Sequence, residues 1–122
     1  PLLTFFLPLA AADLTGIWSA QIEARNGSLQ DVTFQFKQQG SQLTGKLYGD
    51  TSEDLSIQDG IVSGDTVRFI IRTVGYSGKT EFIYEGSVKD GILELKRRRE
   101  DSATKANPEK KTDQTLTLKK KL

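Results

Sequence analysis

The chain has 122 residues, 36% of them hydrophobic, and a formal net charge of +1 from 17 basic and 16 acidic side chains. That size and balance suit one soluble domain with one modest core and argue against bulk electrostatic attraction to nucleic acid. With no cysteine and no histidine, a disulfide framework and a Ser-His-Asp or Cys-His nucleophile are excluded within the chain, and the usual zinc and copper ligands are missing.

Residues 1–12 read as a signal-peptide remnant. Leu2-Leu3-Thr4-Phe5-Phe6-Leu7 is apolar, Pro8 follows, and Ala10 and Ala12 stand in the A-x-A spacing of a cleavage site before Asp13. Methionine is absent even at position 1, as expected of a chain that begins inside a longer precursor. The segment is shorter than the roughly 20 residues a membrane-spanning helix needs, so no transmembrane segment is expected. An apolar tail must be covered in water, which predicts docking on its own barrel or self-association through residues 1–12. The location implied is secreted or periplasmic, and residues 13–122 form a single domain.

That domain reads as eight strands. The first, about Gly16–Arg25, puts Trp18, Ala20, Ile22 and Ala24 on one face. Asn26-Gly27 is a two-residue hairpin signal, because both residues tolerate positive φ. The second strand, about Leu29–Gln38, places Val32, Phe34 and Phe36 inward, and Gln39-Gly40 turns it. The third, about Gln42–Tyr48, offers Leu43, Gly45 and Leu47. A polar loop from Gly49 to Asp54 leads to the fourth, about Leu55–Val62, where Asp59-Gly60 marks a bulge or a turn.

Gly64-Asp65 turns into the fifth strand, about Thr66–Val74, with Val67, Phe69 and Ile71 inward. Gly75 to Gly78 forms the next turn. The sixth strand, about Lys79–Lys89, alternates Phe82, Tyr84, Gly86 and Val88, and Asp90-Gly91 gives a hairpin to the seventh, about Ile92–Arg99, with Leu93 and Leu95 inward. Glu100 to Thr112 is a polar loop. The eighth, about Gln114–Leu122, turns Leu116, Leu118 and Leu122 inward. No helical period and no crossover helix appears after Asp13, so the sheet is antiparallel and up-and-down. Closure removes its exposed edges, which predicts an all-β, eight-stranded antiparallel barrel; a two-layer sandwich of the same strands is the alternative.

Gly16-Ile17-Trp18 resembles the Gly-x-Trp opening of lipocalins and related calycin barrels. With Phe34-x-Phe36-Lys37, Leu43-Thr44-Gly45, Asp59-Gly60-x-Val62-Ser63-Gly64-Asp65-Thr66-Val67-x-Phe69 and Tyr84-x-Gly86-x-Val88, the pattern is similar to a group of small exported bacterial β-barrel domains. The resemblance spans residues 14–122. It implies a calycin-like fold and an extracytoplasmic location, with a basic residue from a late strand packed on the tryptophan. Arg97 is the candidate for that residue. No catalytic residue is implied. The chain also lacks the lipocalin disulfide and C-terminal helix, which argues against a deep cavity.

The inward aromatics suggest a ligand-binding interior: Trp18, Phe34, Phe36, Phe69, Phe82 and Tyr84, with Arg97. An eight-stranded barrel is just wide enough either to be filled by such side chains or to hold one small ligand. The expected function is therefore a non-enzymatic, lipocalin-like carrier of a small apolar molecule. The alternative is a packed module that contacts protein or polysaccharide through its surface, such as an enzyme inhibitor, using Tyr48, Tyr76 and the Arg97–Arg99 run. The charge is uneven: up to Gly91 the chain carries seven basic and eleven acidic residues, and from Ile92 ten basic and five acidic. That suits either solvated strand ends or an anion-binding edge. Asp50, Glu53, Asp54, Asp59 and Asp65 could offer oxygen ligands to calcium, but their spacing fits no EF-hand and Asp in turns bonds its own backbone. No cofactor and no metal is expected.

Overall fold

A computed structural model describes residues 13–23, 26–48, 55–75, 78–100 and 113–121. Nine strands make one sheet: β1 (Gly16–Glu23), β2 (Leu29–Gln39), β3 (Gln42–Tyr48), β4 (Leu55–Ser56), β5 (Gln58–Ser63), β6 (Thr66–Gly75), β7 (Gly78–Lys89), β8 (Ile92–Glu100) and β9 (Asp113–Lys120). β4 and β5 are two halves of the expected fourth strand. They are separated at Ile57, whose N–H still donates to the Gly45 carbonyl (3.0 Å). Every pairing is antiparallel; with β4 and β5 both set against β3, all but the closing pair join neighbours in chain order. The last strand returns to the first, with Trp18 opposite Lys120 and the Lys121 N–H on the Ile17 carbonyl (2.8 Å). The molecule is a closed eight-stranded up-and-down β-barrel, and among the described residues no edge strand is left to template other chains.

Alternation puts one face of each strand inside. Phe34, Leu93, Leu95 and Leu118 are fully buried there, with Trp18, Phe36, Phe69, Ile71 and Tyr84 at 3% exposure or less. The strands bend tightly enough to close because two inward positions carry no side chain. A Cβ on Gly86 would stand 1.8 Å from the Glu94 carbonyl oxygen, and one on Gly45, whose φ is +156°, 2.0 Å from that of Gln35. Glycine at such corners lets neighbouring backbones approach and leaves interior room for aromatic rings.

The turns follow local chemistry, with one correction. Asp90 and Gly91 both take positive φ (54° and 77°) between the paired Lys89 and Ile92, as a two-residue hairpin requires. Asp59, also at φ 54°, sits in a bulge, where the β5–β6 register shifts between Gln58 and Ile61. Asn26-Gly27 does not make the expected two-residue hairpin. Glu23 pairs with Leu29, which leaves an odd number of residues to connect them. The Asn26 carboxamide oxygen instead accepts the Ser28 N–H (3.0 Å) and hydroxyl (2.6 Å), a local side-chain turn that outcompetes the tight hairpin. The eighth expected strand ends at Lys120. The expected docking of residues 1–12, and inward positions for Ala24 and Leu122, lie outside the described residues.

Candidate functional site

The two ends of the barrel differ. At the end where β1 begins and β9 finishes, Leu14 is buried and caps the interior. Its N–H donates to Gln38 Oε1 (2.9 Å), and its carbonyl accepts the Trp18 indole N–H (2.9 Å). Both polar groups brought inside by the plug are thus satisfied. Trp18 therefore belongs to a sealed end.

Above the plug the interior is filled. Phe34 stacks on Phe36 (centroids 5.3 Å apart) and Phe69 on Tyr84 (4.8 Å), and the two stacks meet edge to face at 5.5 to 5.6 Å. These are favourable aromatic geometries. Of the expected ligand-contacting residues, Phe34, Phe36, Phe69 and Tyr84 touch one another and form a solid layer.

The opposite end is where the core thins out. Ile22, Val32, Leu47, Leu55 and Phe82 pack on the core yet remain half-buried; the sixth such residue, Val88, lies at the sealed end. Each of the five stands on the core side of its strand toward the end where β1, β3 and β8 finish and β2, β4, β7 and β9 begin. Thr73 and Thr80, directly paired, continue the rim. Among the described residues these side chains make a shallow apolar mouth over an aromatic floor.

Two cations of β8 stand on the inner face at that end, Arg97 opposite Tyr84 and Arg99 opposite Phe82. Arg97 alternates with the buried Leu93 and Leu95, so its side chain is on the inner face, half-buried, with the guanidinium carbon 5.1 Å from the Phe82 ring centroid. Burial raises the Tyr84 phenol above its ordinary value of 10.0. The Arg97 guanidinium opposes this through its charge and a side-chain hydrogen bond. Among the described residues no carboxylate is paired with Arg97. Across the strand pair from it is Gln114, whose Oε1 is buried without a hydrogen-bond partner. Such an atom costs about 1–3 kcal/mol, so its place beside Arg97 is notable.

The expected contact between Trp18 and Arg97 is not formed. On β9 Trp18 is level with Lys120 and Arg97 with Gln114. Six residues separate those levels, about 20 Å along an extended strand. The arginine run is also not one surface. Arg97 and Arg99 are on the inner face, whereas Arg98 is on the outer face with its Nε 3.4 Å from Glu100 Oε1. Tyr48 is exposed and its hydroxyl donates to Gln35 Oε1 (2.7 Å); Tyr76 lies outside the described residues.

Sequence reasoning named Phe82 and Arg97 as ligand-binding residues of the interior but passed over Ile22, Val32, Leu47, Leu55 and Gln114. The available signal was position: each falls near the last inward place of its strand at one end. Of the acidic group, Asp50, Glu53 and Asp54 lie outside the described residues. Asp59 pairs with Arg72 (3.1 Å), and the Asp65 carbonyl accepts the Val88 N–H (2.9 Å). Among the described residues no three potential ligands gather for a metal, and no helix is long and apolar enough to cross a membrane.

Outside the barrel, Ile83, Glu85, Lys96 and Arg98 surround a depression on β7 and β8, and Ile83 is 5% exposed despite facing outward. No family model, no curated protein and no solved structure matches the chain.

Proposed function

We propose that the barrel is a non-enzymatic, lipocalin-like binding protein acting outside the cytoplasm, and that it holds one small molecule with an apolar body at its open mouth. The observation that carries this reading is the asymmetry of the two ends. Leu14 and Trp18 plug one, while half-buried Ile22, Val32, Leu47, Leu55 and Phe82 ring the other. Apolar side chains left partly in water around a concave end gain from being covered, at about 25 cal/mol per Å². The aromatic layer below them limits the ligand to the mouth. The export reading rests on residues 1–12 of the sequence.

The test is native mass spectrometry of the full chain after gentle purification, with titration of the neutral dye Nile red. A bound mass that leaves on denaturation, or saturable one-to-one dye binding weakened roughly tenfold by Phe82→Ala, supports the reading. A clean mass together with no saturable dye binding overturns it. The outer depression at Ile83 and Arg98 favours a second reading, a surface module that contacts protein or polysaccharide. Dye binding disturbed by Arg98→Ala and untouched by Phe82→Ala would place the site there.

A further inference from the structure

Resting on the mouth reading, we infer that the ligand is a single-tailed amphiphile with an anionic head group, and that Arg97 is the residue that reads the charge. Among the described residues no carboxylate is paired with Arg97, so a purely apolar ligand would leave the guanidinium to be desolvated without a counter-charge from them. That arrangement penalises binding rather than promoting it. A head group bearing a carboxylate or phosphate reverses the sign. It would exchange water for charge-assisted, two-pronged hydrogen bonds from the guanidinium, which are stronger and more directional than neutral ones.

The geometry suits this division of labour. The guanidinium lies over the face of Phe82, which holds it against the wall. Tyr84 ends beside it at the floor, and its phenol keeps its proton because burial raises its pKa. It stands as a neutral hydroxyl that does not repel an anion. Arg68, Arg72 and Arg98 have acidic partners on the outer face: Arg68 with Glu85, Arg72 with Asp59 and Glu81, and Arg98 with Glu100. Arg97 and Arg99 stand on the inner face instead, and Arg97 is the deeper of the two in β8. The buried, unpaired Gln114 Oε1 opposite it marks the same wall as one whose polar groups are not completed within the described fold. Tail length is bounded by the filled core: the chain must lie across the mouth on Ile22, Val32, Leu47 and Leu55 rather than thread the barrel.

The experiment compares decanoate, decyl phosphate and decanol by calorimetric titration into the full chain and into Arg97→Gln and Arg97→Lys. Either anion should bind the wild type at least roughly tenfold tighter than decanol. The preference should shrink at high salt, disappear in Arg97→Gln, and survive in part in Arg97→Lys. The better of the two anions identifies the head group. Equal binding of all three probes by the wild type overturns the anionic assignment and leaves the mouth reading standing. A preference that persists in a folded Arg97→Gln overturns the role of Arg97. Binding of none of them overturns the inference together with the reading beneath it. If Arg97→Gln fails to fold, the wild-type preference and its salt dependence still decide the head group, and Arg97→Lys decides the residue.

Discussion

At the scale of single residues, polar atoms drawn inside an apolar barrel decide local behaviour. Tyr84 is the clearest case. Its pKa is raised by burial, against the pull of Arg97, so the folded state keeps the phenol proton at pH values where the unfolded chain has released it. The stability tied to this group is therefore fully present below about pH 10 and is lost as pH rises through the folded value. Urea denaturation of wild type and Tyr84→Phe at neutral and alkaline pH checks this: the wild type should lose more stability on alkalinisation, and identical losses would refute it. Trp18 gives a second prediction. Trp18→Phe removes the indole N–H and leaves the Leu14 carbonyl unsatisfied under the plug, at an expected cost of about 1–3 kcal/mol in urea melts. The sequence marked Trp18 as inward, and the resemblance pointed to Arg97 as its neighbour; the structure sets them apart, because that choice depends on how far β9 slides along β1.

At the scale of elements, strand bending is set by glycine where backbones touch, and exposed ion pairs contribute little. Gly86→Ala would drive a Cβ into the Glu94 carbonyl, 1.8 Å away, across the β7–β8 pair. The expected loss is more than about 3 kcal/mol, or failure to fold. Gly64→Ala meets nothing within 4 Å and faces only the strain of φ +58°, so about 1 kcal/mol is expected. A comparison of thermal midpoints separates the two, and equal effects would contradict the close-approach argument. Arg72 joins Asp59 and Glu81 on the solvent side; Arg72→Ala should leave the denaturation midpoint nearly unchanged, since exposed pairs are screened by water. The elements themselves were largely legible: alternation located the strands, and Asp90-Gly91 the hairpin. The Asn26-Gly27 connection was not, because the Asn26 carboxamide, accepting from the Ser28 N–H, competes with the tight turn and local composition cannot rank the two.

At the scale of the whole molecule, closure and filling are one event. The Phe34–Phe36 stack meets the Phe69–Tyr84 stack only when β2 lies on the wall opposite β6 and β7 of the same barrel. Phe69→Ala should thus cost about 3–5 kcal/mol, as large-to-small core changes do. Phe82→Ala, at the half-buried rim, should cost distinctly less stability while weakening the ligand. Equilibrium denaturation beside dye titration reads both effects, and a Phe69→Ala cost no greater than that of Phe82→Ala would contradict a solid core.

The sequence by itself determined the fold class, the number of barrel strands and which face of each strand is apolar. Those properties follow from a two-residue period and from turn chemistry, both encoded locally. It also set the choice the interior had to make, between aromatic filling and a cavity. Only the tertiary structure decided that choice, along with which end is plugged, the separation of Trp18 from Arg97, and the placing of Arg97 over Phe82 and beside Tyr84. The physical reason is register. Sliding one strand by two residues leaves every inward face inward and changes every neighbour, so the pattern of faces is local information and the pattern of contacts is not.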